Sequence, residues 1–235
     1  MKWLAGLFGT VRDIDVYIIN LSGYEQKIDY FPGSARHALE EGIEKQRRNP
    51  LKDLLYSLAS PRYKQFERRI KNFIHYPPVL ADEPKTIRQF APEVINHDFQ
   101  AVIERGRAVL ENPQMKKFHL LRIEMKKLRY ATEFMAPAYH GGLAGFIQRT
   151  TEIQDCLGEL QDTVFTRDFS LRLAKDGDKK SEGSHVPFVL GEIFQYQAQI
   201  ARERRDTFSG IWSRFAAPET SALLEQVFEG KSPQS

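Results

Sequence analysis

Apolar residues recur at three- and four-residue spacing from one end of the chain to the other. They nowhere alternate with polar residues over a stretch long enough for a strand. Leu4, Leu7, Phe8, Val11, Ile14 and Ile18 set the pattern, and Leu223, Leu224, Val227 and Phe228 end it. A period near 3.6 gathers such residues on one helix face, which must be buried against a neighbouring element. The expected class is therefore all-α, built from packed bundles. Predicted helices run over 1–21, from a Ser34 cap to Leu58 with a kink or restart at Asn49-Pro50, and from the Ser60-Pro61 cap through Phe73. Pro84 and Pro92 flank short helical entry segments, and others run from about Val94 to Leu110, from Phe118 to Tyr139, from Leu143 to Ala174, from Pro187 to Phe215, and from Pro218 to Phe228.

Tyr76-Pro77-Pro78 breaks the pattern near its middle. The expected organisation is an N-terminal helical half at 1–76, a linker at 77–84, a C-terminal half at 85–229 and a disordered tail at 230–235. Asp176 to Ser184, rich in Gly, Lys and Ser, reads as a mobile loop. At 235 residues and 41% apolar, the chain can bury a sizeable core. A formal charge of +3 is too mild for a nonspecific nucleic-acid coat, so an anion site must come from local clustering. The single cysteine, Cys156, excludes an intramolecular disulfide and a Cys-based zinc site; it sits in an apolar pattern and reads as core. Met1 to Phe8 faintly resembles a signal peptide, but the apolar run is short and Arg12-Asp13 follows at once. No run approaches a membrane span. A cytoplasmic protein with no membrane partner is expected.

Two segments repeat. Phe8-Gly9-Thr10-Val11-Arg12-Asp13 resembles Leu157-Gly158-Glu159-Leu160-Gln161-Asp162. Arg47-Arg48, Leu51, Leu54, Leu55, Leu58 and Pro61 align in register with Arg204-Arg205, Phe208, Ile211, Trp212, Phe215 and Pro218. Each half should be a similar helical unit, and the halves pseudo-symmetric.

Between the repeats lies the stretch Phe118–Met135. Wound as a helix, it brings His119, Arg122, Lys126 and Arg129 within roughly 80° of arc, with Leu121, Met125, Leu128, Thr132 and Met135 opposite. Tyr130 adds a hydroxyl donor beside the stripe. A solvated helix face usually mixes both signs of charge. This face collects three cations and a histidine, which suits a ligand with many anionic oxygens; an ordinary solvated stripe is the alternative. By the repeat, a counterpart of this helix would precede Gly9. The first helix of the N-terminal half is expected to be missing through a truncated or misassigned start, or to be replaced by a neighbouring or domain-swapped element.

His119-x-x-Arg122-x-x-x-Lys126-Lys127-Leu128-Arg129-Tyr130 resembles the signature of the CHAD family, the conserved-histidine α-helical domain. Leu7 to Val16 is similar to that family's LGxVRDLDV segment, Leu157 to Asp162 to its second-half equivalent, and Leu58-Ala59-Ser60-Pro61-Arg62-Tyr63 to its serine-proline-arginine turn. The resemblance implies one CHAD domain of two pseudo-symmetric four-helix-bundle-like halves. It implies a groove or pore lined with basic residues and a ligand, inorganic polyphosphate, with location at polyphosphate granules. The residues carried over by motif are His119, Arg122, Lys126, Arg129, Tyr130, Arg12 and Arg62. Arg47, Arg48, Arg204 and Arg205 follow from the repeat.

Polyphosphate offers a flexible row of tetrahedral anions and no bases. Arginine forks and lysine point charges along a groove suit it, and His119 can donate from a ring nitrogen. The expected function is non-catalytic binding, with no catalytic residue, no metal and no cofactor. Nucleic acid is a disfavoured partner, and an oligomer, including one with a swapped helix, is compatible with the pattern. Asp13, Asp15 and Asp162 could hold Mg²⁺ for phosphohydrolysis of polyphosphate or triphosphate. Beside arginines, however, they read as ion-pair partners. His75, His97, His140 and His185 read as isolated loop or surface residues. The remaining alternative is a helical nucleic-acid-binding or scaffold protein with its basic faces outward.

Overall fold

The computed structural model describes residues 2–77, 85–176 and 185–230. Most of the expected linker, the expected loop and the expected tail lie outside them. The described residues form eight α-helices and no strand. These are α1 Lys2–Glu25, α2 Gly33–Ala59, α3 Pro61–His75, α4 Ile87–Glu111, α5 Met115–Met135, α6 Ala144–Asp176, α7 Val186–Phe215 and α8 Pro218–Phe228, with a 3₁₀ turn Ala136–Tyr139 after α5.

Local chemistry accounts for the boundaries. Ser60 caps α3: its hydroxyl accepts from the Tyr63 N–H at 3.2 Å, and Pro61 opens the first turn. Two prolines lie inside helices. Of the kink or restart expected at Pro50, the restart is absent: α2 runs on as one helix, with Ala35, Leu39 and Ile43 before the proline and Leu54 after it buried. Helix α4 begins at Ile87, well ahead of Val94, on a reciprocal cap between Thr86 and Gln89. It runs through Pro92, which cannot bond the Arg88 carbonyl one turn back. The Tyr139 hydroxyl donates to that carbonyl at 3.2 Å instead.

The chain packs as two compact units. The first comprises Met1–Ala81 and Val164–Ala198; the second comprises Asp82–Thr163 and Gln199–Ser235. Helices α6 and α7 thus contribute residues to both. The core of the first unit joins Ile14, Tyr17 and Leu21 of α1, Leu39 and Ile43 of α2, Phe169 and Leu173 of α6, and Val189, Leu190 and Ile193 of α7. The buried Tyr17 hydroxyl bonds Ser170 Oγ at 2.9 Å, and burial pushes its phenol pKa well up. The expected division into 1–76 and 85–229 differs from this packing. It separates α1–α3 from α4 and α5, but Val164–Ala198 belongs with the N-terminal segment because its apolar face is covered there.

The second unit packs Ile95, Phe99 and Val102 of α4 with Leu121, Met125 and Leu128 of α5, Phe146, Ile153, Leu157 and Leu160 of α6, Phe208, Trp212 and Phe215 of α7, and Leu224 of α8. The apolar face read on α5 is the face buried: Leu121, Met125, Leu128, Thr132 and Met135 all lie inside. That burial fixes the rotation of α5 and so presents its basic stripe away from the core.

Candidate anion-binding site

The stripe on α5 is half-buried: Arg122, Lys126 and Arg129 are partly covered, while His119 and Tyr130 are exposed. Two of its members are held by hydrogen bonds, one to α6 and one within α5. The His119 Nδ1–H donates to Gln161 Oε1 at 2.8 Å, which fixes the ring and leaves Nε2 as the remaining nitrogen. Arg129 Nε donates to Glu133 Oε1 at 2.7 Å one turn along α5. The hydrogen bond to Glu133, with smaller contributions from the Glu133 and Asp155 charges, holds the guanidinium pKa above its usual value against the cost of burial.

Arg122 differs from its neighbours. Its Nε is buried and has no hydrogen-bond partner among the described residues. No carboxylate within ion-pair distance of it appears among them either. An unmet buried N–H costs about 1–3 kcal/mol, more for a charged group, so the position favours any ligand that brings an acceptor. In contrast, Lys127, adjacent to the stripe in the motif, turns to α4. Its Nζ lies 2.6 Å from the buried Asp98, which also faces His97 Nδ1 at 3.1 Å. His97 is therefore not isolated, contrary to the sequence reading. Of the other three, His140 takes a left-handed turn conformation, with φ of 49°. His75 ends α3 and bonds the Lys71 carbonyl, and His185 Nδ1 meets the Tyr30 hydroxyl at 3.1 Å.

Three of the four repeat-derived arginines are tied down. In the second unit Arg204 faces the Glu159 carboxylate of α6 at ion-pair range, though its Nε lacks hydrogen-bond alignment. Arg205 Nε donates back to the Ala201 carbonyl at 3.1 Å. In the first unit Arg47 Nε donates to Asp15 Oδ1 at 2.6 Å, and this bond raises the guanidinium pKa. Arg12 and Arg48 are exposed, and Arg62 stacks over the Trp3 ring at 4.4 Å. Each unit thus repeats one device, an arginine of α2 or α7 held by an acid on the helix that carries the glycine motif. Asp15 takes the ion-pair role expected of it.

Two further side chains bear on the chemistry. Cys156 is buried, with Sγ 3.7 Å from the Arg204 carbonyl. Burial pushes its thiol pKa up to about 11, so it stays protonated and inert. Arg167 of α6, not singled out by sequence, stacks over Phe194 at 4.4 Å and has a buried Nε without a hydrogen-bond partner. Among the described residues no three His, Cys, Asp or Glu side chains come together as a metal-ligand set. No described helix is long and apolar enough to cross a membrane.

The family model for the CHAD domain matches residues 1–170. None of the curated proteins matches the chain.

Proposed function

The chain belongs to the CHAD family, and from that premise we propose that it is a non-catalytic binding module for inorganic polyphosphate, the ligand class for which the domain is known. The observation that carries the reading is Arg122. Its half-buried guanidinium lies in a row with His119, Lys126 and Arg129, and its Nε is unmet. A phosphate oxygen supplies the missing acceptor, and successive phosphates of a linear polymer can follow the row. Within the second unit Tyr130 offers a further donor, while Arg204 and Arg205 are already engaged; taken by itself, the first unit offers Arg12, Arg48 and Arg62, with Arg47 engaged. The acids support a structural rather than a catalytic part, since Asp15, Glu133 and Glu159 hold arginines. Such binding would carry the chain to polyphosphate granules in the cytoplasm.

Calorimetric titration with long-chain polyphosphate, and with duplex DNA of matched charge, tests this. Polyphosphate should bind more tightly; equal affinity overturns the specific reading. Arg122→Ala should weaken polyphosphate binding about tenfold, the loss of one charge-assisted bond, and should flatten the salt dependence. An unchanged salt slope moves the site elsewhere. Phosphate release from polyphosphate with Mg²⁺ present would refute the non-catalytic part.

A further inference from the structure

Helix α3 buries no residue at all. Its sequence is nevertheless sharply two-faced. Tyr63, Phe66, Ile70, Phe73 and Ile74 fall within roughly 100° of arc. Ile70 is 40% exposed, Phe73 62% and Ile74 68%. Single exposed apolar residues need no explanation, but a contiguous stripe of them marks a contact surface.

The repeat supplies a comparison. Helix α8 is the other proline-started helix, following α7 as α3 follows α2. It buries Thr220 and Leu224, and it carries Glu219 and Glu225 with no lysine or arginine. Packing a short amphipathic helix onto a protein core therefore does not require cations in this fold. Helix α3 carries five, Arg62, Lys64, Arg68, Arg69 and Lys71, against Glu67 alone, which Lys71 pairs at 2.6 Å. Four of the five flank the apolar stripe: Arg62 and Arg69 on one side, Lys64 and Lys71 on the other. A second copy of α3 laid face to face would bring these rows together in repulsion. A flat anionic surface meets both rows at once while the stripe sinks between them.

We propose that α3 is an interfacial docking helix for anionic lipid bilayers, lying in the headgroup plane with Phe66, Ile70, Phe73 and Ile74 inserted and the flanking cations on lipid phosphates. That no described helix is long and apolar enough to cross a membrane bears on crossing one, not on lying against one. This surface belongs to the first unit; it shares Arg62 with the proposed polyphosphate donors but none of the α5 stripe that carries that reading.

The test is co-sedimentation of the full chain with vesicles of phosphatidylcholine alone and of phosphatidylcholine mixed with phosphatidylglycerol. Binding is expected only to the mixed vesicles. Replacing Phe73→Ser and Ile74→Ser together should weaken it at least about tenfold, because two apolar anchors are lost. Both side chains are exposed, so circular dichroism should show the helix content retained. Lys64→Ala with Arg69→Ala should also weaken binding, through the charge alone. No vesicle binding, equal binding to both compositions, or binding indifferent to the Phe73/Ile74 variant overturns the proposal. So does a dimer in sedimentation that the same variant converts to monomer, since a second copy would then cover the face.

Discussion

Lys126 and Lys127 are adjacent in sequence and have separate duties. Lys126 belongs to the outward stripe, whereas Lys127 neutralises Asp98, a carboxylate only 3% exposed inside the second unit. Removing Lys127 strands that carboxylate with His97 as its remaining partner. Lys127 is itself half-solvated, so the loss should fall below that of a fully buried pair; Lys127→Met should cost about 2 kcal/mol in urea unfolding at neutral pH. The hydrogen bond to Asp98 raises the Lys127 pKa. Its stabilisation is therefore complete below the unfolded-state lysine value of about 10.4 and is lost as pH rises through the higher folded value. Wild type and Lys127→Met should accordingly converge in stability above that range, and a constant gap from pH 9 to pH 12 would contradict this. Asp98 was legible in principle: it interrupts the apolar spacing of Ile95, Phe99 and Val102, where an acid needs a partner. Gln161 was not. It occupies the repeat position of Arg12, and only the folded contact shows that it holds the His119 ring.

At the level of the helix, the buried face of α5 could be read residue for residue because 3.6-residue periodicity and burial share one cause. Proline positions were less readable, since tertiary partners decide whether a helix survives them. Pro92 is tolerated because Tyr139, almost fifty residues on, takes over the orphaned Arg88 carbonyl while Arg88 Nε donates to the Ala138 carbonyl at 2.7 Å. Gly106 shows the converse, a residue whose reason lies wholly in its neighbour. A Cβ on it would stand 2.0 Å from the Trp212 ring, so α4 and α7 approach at this point only because no side chain intervenes. Gly106→Ala must displace a buried indole or a helix, at a cost of about 3 kcal/mol despite alanine's better helix propensity. Chemical denaturation measures it. Adding Trp212→Leu should make the Gly106→Ala step nearly neutral in that background, and an equally large penalty there would show that the ring is not the obstacle.

For the whole chain, the repeat made the bundle architecture readable, but hydrophobic pattern does not state which distant segment covers a given face. Phe169 and Leu173 of α6 look like any apolar pair on a long helix, and their burial with α1 and α2 comes from tertiary packing alone. This bears directly on the proline-rich break near residues 77–84, which reads as a boundary between self-sufficient halves. A fragment spanning 85–230 retains Phe169, Leu173, Val189, Leu190 and Ile193 but loses Ile14, Tyr17, Leu21, Leu39 and Ile43, which bury with them. Each uncovered side chain forfeits about 1.5–3 kcal/mol of burial, enough together to exceed the stability of an ordinary domain. The fragment should therefore bind a dye for exposed apolar surface and self-associate in size-exclusion chromatography. Adding the 2–77 fragment should suppress both, because it returns α1 and α2 to that core. A monomeric, dye-silent 85–230 fragment would instead mean that the ends of α6 and α7 find other cover, and that the break at 77–84 separates parts able to fold apart.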